Sequence, residues 1–229
     1  MVWMRPNGGR IHAEGMRDMA VHGHSHGHRG FHLPVRRTTR TAPASGETAA
    51  GAAVVPAAPT AARVLAGARV LTGFVFLWAF LDKTFGLDYA TPAERAWTEG
   101  GSPTEGFLSG VAVGPLESVF HDIAGAAWAD WLFMLGLLGI GLALTAGVAL
   151  RLAAAAGTVM MALMWAAEWP LAQHLSDGSP SMSTNPVVDY HVVYAVVLIA
   201  LAVTAAGDTW GLGRRWARLS PVRRLPWLR

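Results

Sequence analysis

Trp131-Leu-Phe-Met-Leu-Gly-Leu-Leu-Gly-Ile-Gly-Leu-Ala-Leu-Thr-Ala-Gly-Val-Ala-Leu150 contains no charged residue and no proline. As a helix, at 1.5 Å per residue, it would reach about 30 Å, the thickness of a bilayer's hydrocarbon core. Three further stretches are of the same kind. Val64–Leu81 is interrupted only by Arg69, Leu152–Trp169 carries Glu168 near its end, and Val187–Ala206 carries Asp189 and His191 near its start. Pro170 and Pro186 stand just outside these runs. Backbone in lipid has no water to bond, so each run must be helical. The sequence therefore predicts an all-α membrane protein, a four-transmembrane-helix bundle with helices at about 64–81, 131–150, 152–169 and 187–206.

Composition agrees. Hydrophobic residues make up 52% of the chain and charged residues 14%, against about 25% charged in an average soluble domain. Eight of the eighteen basic residues precede residue 64 and six follow residue 213, so the net +3 belongs to two basic ends around an apolar middle. That distribution is no nucleic-acid footprint. The absence of cysteine excludes disulfides, cysteine-held iron–sulfur clusters, covalent haem c attachment and thiol-based electron transfer. No flavin or dinucleotide fingerprint is present either; Gly211-Leu212-Gly213 runs into arginines rather than a strand–turn–helix unit.

Residues 1–62 read as a disordered cytoplasmic His/Arg-rich tail, because no apolar period survives ten residues to offset backbone entropy. His22, His24, His26 and His28 alternate with small residues there and form a weak metal-binding candidate without fixed geometry. Arg36-Arg37 stands 27 residues before the first apolar run, too far for a twin-arginine signal. Residues 214–229 form a second basic cytoplasmic tail. With both ends basic and Arg151 in the turn between the second and third spans, the positive-inside rule places both termini in the cytoplasm of a multi-pass plasma-membrane protein.

The first connection, Asp82 to Asp130, holds eight acids and two bases and falls outside. Thr91-Pro92-Ala93-Glu94 and Ser102-Pro103-Thr104-Glu105 have capping-box spacing. Leu116, Val119, Phe120 and Ile123 share one helical face. Helices within 91–126 are thus expected, forming a long helical extracytoplasmic loop that caps the bundle. Gly139, Ala143 and Gly147, and likewise Ala153 and Gly157, form small-residue ridges for close packing of the second and third spans.

Ionisable residues collect at the outer helix ends, where intramembrane charge marks candidate sites. Lys83, Glu168, Asp189 and His191 are the expected catalytic group, with Lys83 paired to a carboxylate and Trp169 and Tyr190 beside them. Asp82 and Asp130 read equally as wet helix ends. Arg69 either snorkels to the cytoplasmic surface or, with Gly73, Phe76, Phe80 and Lys83, lines the interior.

Several stretches carry a family resemblance: Arg69-x-x-x-Gly73 leading to Asp82-Lys83, Trp78–Phe85, Gly101–Leu108, Trp131–Leu138, Glu168-Trp-Pro170, Asn185–His191 and Gly207–Gly213. Over residues 63 to 216 the chain resembles DoxX membrane proteins of the actinobacterial type. It departs from them at Phe80, where many members have glycine. The resemblance implies a four-helix membrane domain over 63–213 and a relation to the large subunit of thiosulfate:quinone oxidoreductase. Quinone is then the implied cofactor, with Arg69, Trp169 and Tyr190 as its expected binding residues. The implied partners are the bilayer and an oxidoreductase subunit, with self-association left open and nucleic acid excluded. A non-catalytic anchor or assembly factor for a partner oxidoreductase is the alternative, and a metal-linked transporter a third.

Overall fold

A computed structural model of the chain describes residues 59–228. The histidine group His22–His28 and nearly all of the expected tail lie outside the described residues. Those described are mostly helical and form no strand.

Three helices are long and apolar enough to cross a membrane. They are α1 (Pro59–Phe85), α4 (Ala127–Ala146) and α5 (Leu150–Glu168); between α1 and α4 come the short α2 (Glu105–Leu108) and α3 (Glu117–Ile123). A shorter apolar helix, α6 (Tyr190–Val203), follows, and then α7 (Gly213–Trp216) and α8 (Ser220–Arg224).

The boundaries differ from the hydropathy reading for local reasons. α1 starts earlier than expected because Pro59 fits the first helical turn and Ala61 and Ala62 extend it. α4 lies four residues earlier than expected at each end. Gly147, read above as a ridge residue, instead ends the helix with φ 73°, its amide bonding to the Ala143 and Leu144 carbonyls and that of Val148 to Ala143. The expected fourth helix over 187–206 is helical only from 190 to 203. The Asp189 carboxylate accepts from the Val192 amide and fixes its start. At the other end Ala205 takes φ 50° and the chain turns into a 3₁₀ turn at Ala206–Asp208.

Packing runs chiefly through two helix pairs, α1 with α4 and α5 with α6, and α4 joins the pairs through α5. Phe76, Met134, Leu137, Ile140, Leu144, Met161, Leu198 and Leu201 form the shared core. Gly73 lets α1 and α4 approach closely: a Cβ there would lie 2.9 Å from the Thr145 backbone nitrogen. Gly157 does the same for α5 against Leu198 of α6. Gly139 faces open space, so of the expected α4 ridge only Ala143 and Gly147 pack within this chain.

The connection between α1 and α4 folds onto the bundle. Val111 and Phe120 bury with Ala167 at the end of α5, while Ile123 packs alongside. Leu116 and Val119 of the expected apolar face stay exposed. Thr91 makes no cap, and only 3₁₀ turns form at Ala93–Arg95 and Trp97–Glu99. Ser102 does accept from the Glu105 amide at 3.1 Å, as the second capping box requires. The amide and hydroxyl of Ser176 reach Ala112 O, tying this connection to the one after α5.

Candidate functional site

Antiparallel packing collects two groups of residues at opposite ends of the bundle. The C-terminal turn of α4, the exit of α6 and Arg69 define one end. The C-termini of α1 and α5 and the N-termini of α4 and α6 define the other.

At the first end Arg69 is fully buried. Its Nη1 donates to Leu144 O and, at 2.9 Å, to Thr145 O, while Nη2 reaches Trp210 O at 3.0 Å. The α4 carbonyls are among the last four of that helix, which lack intrahelical donors and carry the negative end of its dipole. Arg69 therefore does not snorkel. It joins α1, α4 and the segment after α6, at the opposite end from Glu168 and Asp189, and only its Nε is buried without a partner.

At the second end two carboxylates bind the connecting segment. Asp82, 2% exposed, accepts from the amides of Tyr89 and Ala90. Asp130, 7% exposed, accepts on Oδ1 from the Ser102 hydroxyl, the Thr104 amide and the Thr104 hydroxyl. Neither is a wet helix end; each holds loop donors that burial would otherwise leave unsatisfied. At the surface of the same end, the Ser179 hydroxyl and then its amide hold the Asp177 carboxyl below its ordinary value.

Beside them lies the cluster expected from the sequence, without its lysine. His191, 1% exposed, bonds through Nδ1 to Asp189 Oδ2 at 2.8 Å. Glu168 Oε2 lies 3.9 Å from the same nitrogen, and the Tyr190 hydroxyl donates to Glu168 Oε1 at 2.6 Å. A carboxylate accepts and does not donate, so Nδ1 carries the hydrogen. The other ring nitrogen, Nε2, is buried without a partner. His191 occupies the α6 face that also buries Leu198 and Leu201. Asn185 and Trp165 complete the surroundings. The Asn185 side chain accepts from the amides of Val187 and Val188, and Trp165 donates to Val187 O at 2.9 Å.

Lys83 does not join this group. Among the described residues it is His191 Nδ1 that faces Glu168 and Asp189, and Lys83 Nζ lies 6.0 Å from the Phe133 ring centroid. The reason is topological: α1 packs mainly on α4, which carries Lys83 toward Phe133 rather than toward α5 and α6. Trp169 caps α5 in the left-handed conformation, with its ring 5.6 Å from that of Trp165 and its side chain against Gly114. It thus flanks the cluster and has no hydrogen bond to it.

Glu168, Asp189 and His191 present ligand atoms within 4.8 Å of one another. A cation held on Nδ1 would displace the proton given to Asp189 and leave a buried Nε2–H without an acceptor. The arrangement suits proton transfer better: a phenol, a carboxylate and an imidazole in sequence, with Asp189 bonded to the imidazole, lead from an exposed tyrosine to a buried ring nitrogen. Placement of Glu168 supports this. It is the last residue of α5, where the helix dipole disfavours an anion, so local stability does not account for it.

Of these features, the pairing of His191 with Asp189 has a local sequence signal, an acid two residues before a histidine at a helix start. The Asn185 bonds had a weaker one, a capping residue before proline. The carbonyl ring around Arg69 had none that reading the spans one at a time would reveal. No family model matches the chain, and no curated protein or solved structure matches it either.

Proposed function

We propose that the chain is a DoxX-like integral membrane subunit of a quinone-linked redox system, with the Tyr190–Glu168–His191–Asp189 array moving protons at the outer face. The observation that carries this reading is His191, buried yet bonded to Asp189 and adjacent to a Glu168 that bonds to the exposed Tyr190. A bound quinone would supply two-electron, two-proton redox chemistry, and the thiosulfate:quinone oxidoreductase relation suggests thiosulfate as the electron donor. Glu168 and Tyr190 would exchange protons with it, and the Asp189 carboxylate would stabilise the imidazolium when His191 takes one up.

The same reading makes segment 187–206 the fourth span of a plasma-membrane bundle with both termini cytoplasmic. A 14-residue α6 reaches about 21 Å. Val187 and Val188 lie in a bend before it, their amides satisfied by the Asn185 side chain, so backbone outside the helix is tolerated at that depth. The acids of the α1–α4 connection then face outward and the arginines beyond residue 213 face the cytoplasm.

The alternative, a non-catalytic anchor or assembly factor for a partner oxidoreductase, draws on one observation. The cluster end is rich in carboxylates, an unfavourable setting for dianionic thiosulfate.

Quinone reduction by thiosulfate in proteoliposomes of the purified chain tests the enzymatic reading. Turnover that disappears in Glu168→Gln supports it. Absence of turnover, together with co-purification of a redox partner from native membrane, selects the anchor. The cysteine-free sequence allows a direct topology test: Ser109→Cys and Ser220→Cys, both at exposed positions, should label from opposite sides of the membrane.

A further inference from the structure

Within the segment after α6, residues 214–229 were expected to form a basic cytoplasmic tail. The segment is folded against the bundle. Leu212 donates its amide to Ala146 O, Arg69 holds Trp210 O, and Val222 is buried at 2% exposure. The 3₁₀ turn at Pro226–Leu228 packs on α5, and the Trp216 indole closes the segment by donating to Leu228 O at 2.6 Å. From Thr209 to Leu228 there are five arginines and no acid: Arg214, Arg215, Arg218, Arg223 and Arg224, all exposed. None of the five is in an ion pair among the described residues.

Apolar side chains are interleaved with them. Trp210, Leu212, Leu219, Leu225 and Trp227 are each more than 40% exposed. Arginines alternating with exposed tryptophan and leucine on a fixed scaffold match the boundary between headgroups and acyl chains. Below this collar runs a groove of about 610 Å³ between α5 and α6, lined by Arg151, Ala154, Ala155, Thr158, Ile199 and Val203. Arg151 is the second residue of α5, so it marks the end of the groove that lies at the end of the bundle carrying the collar. From Arg151 to Thr158 the groove follows α5 for about 10 Å into the apolar region.

We propose that the arginine collar and the α5–α6 groove together form a binding site for an anionic phospholipid, with its phosphate among the arginines and an acyl chain along the groove. Charge complementarity selects this occupant. A zwitterionic lipid or a helix of a second copy would fill the groove equally well but would leave the arginines uncompensated. Because packing already fixes the segment, binding does not have to order it first. Two arginines at the headgroup level suffice for about a tenfold preference over a neutral headgroup, since each basic residue near an anionic surface contributes about 1 kcal/mol.

The test uses the full chain purified in neutral detergent, with native mass spectrometry and thermal midpoint as readouts. Dioleoyl phosphatidylglycerol, dioleoyl phosphatidylcholine and inorganic phosphate are titrated separately. Phosphatidylglycerol should be retained about tenfold more tightly than phosphatidylcholine and should alone raise the midpoint. The R214Q/R215Q/R218Q/R223Q/R224Q variant should bring the two lipids within about twofold, while the corresponding five-lysine variant keeps most of the preference. Ala155→Trp, which fills the groove and leaves the arginines in place, should weaken retention of phosphatidylglycerol. If the glutamine variant does not fold, the wild-type chain still decides, because its preference must fall as salt rises. Equal retention of the two lipids, an equal midpoint rise with inorganic phosphate, indifference to salt, or full retention in Ala155→Trp would each overturn the proposal.

Discussion

At one end of the bundle a single buried cation, Arg69, is ringed by backbone carbonyls. At the other end the carboxylates of Asp82, Asp130 and Asp189 are each bonded to backbone amides. Helix polarity explains the Arg69 end and Asp189, while Asp82 and Asp130 hold amides of the α1–α4 connection. α4 finishes at the Arg69 end, where its last carbonyls need a donor; α6 begins at the other, where its first amides need an acceptor. Charges of opposite sign therefore perform the same structural task. Glu168 stands apart from both groups: like Asp82 it is an acid at the carbonyl end of its helix, but its partners are a tyrosine and a nearby histidine rather than backbone amides. The comparison thus separates polar residues that hold the fold from polar residues that the fold has to hold.

The most damaging substitution should be Arg69→Met. It fills much of the same space but strands the carbonyls of Leu144, Thr145 and Trp210 in a buried site, a loss of about 3–5 kcal/mol. Thermal unfolding in detergent should show the largest midpoint drop of any single change considered, with Arg69→Lys recovering only part of it because a point charge cannot span the ring. A midpoint close to wild type for Arg69→Met would remove the distinction between the two ends. Next comes Asp130→Ala, which leaves the Ser102 hydroxyl and both Thr104 donors without their acceptor, at about 2–3 kcal/mol. Its damage should be local, with faster proteolysis of the α1–α4 connection before the helices are lost. Simultaneous loss of the whole bundle would show that the connection is part of the core rather than a cap on it.

The division between structural and functional groups was only partly readable in the sequence. Spans are set by bulk hydropathy, so α1, α4 and α5 could be found from composition and length alone. Their ends are decided by single residues: Gly147 stops α4, and Asp189 starts α6. Position along the helices was also legible: Glu168, Asp189, Tyr190 and His191 were expected at one end of the bundle, and their side chains meet there. Lateral placement was not. Lys83 lies toward that same end but belongs to a helix that packs on α4, and which helices pair depends on contacts such as Gly73 against Thr145 that join distant stretches of chain. The fate of Arg69 shows the same limit, since its partners are backbone carbonyls and carbonyls leave no mark on a sequence.

His191→Phe probes the cluster with a smaller expected effect. The ring volume is roughly kept, the unpartnered Nε2 disappears, and Asp189 retains its bond to the Val192 amide. Stability should fall by no more than about 1 kcal/mol, the worth of the single bond lost from Asp189. Any thiosulfate-dependent quinone reduction should vanish with the imidazole. A midpoint drop comparable to that of Asp130→Ala would place His191 with the structural groups instead.

Glu168→Gln should have the smallest effect on stability and is expected to change it in the opposite direction. The amide oxygen still accepts from the Tyr190 hydroxyl, so the bond across α5 and α6 survives. What disappears is a negative charge at the negative end of the α5 dipole, a repulsion worth about 0.3–1 kcal/mol near a helix terminus. The electrostatic attraction of His191 is lost as well, but at 3.9 Å and with Asp189 closer at 2.8 Å it is the lesser partner. The net expectation is a thermal midpoint equal to or slightly above wild type. If Glu168 passes protons, turnover in the same preparation should fall by about 100-fold, the lower end of what general acid–base groups contribute. A more stable, inactive protein would identify Glu168 as a residue retained against the preference of its own helix. A less stable one would mean that the Glu168–His191 interaction holds α5 to α6, and the proton-transfer reading would then lose the asymmetry on which it rests.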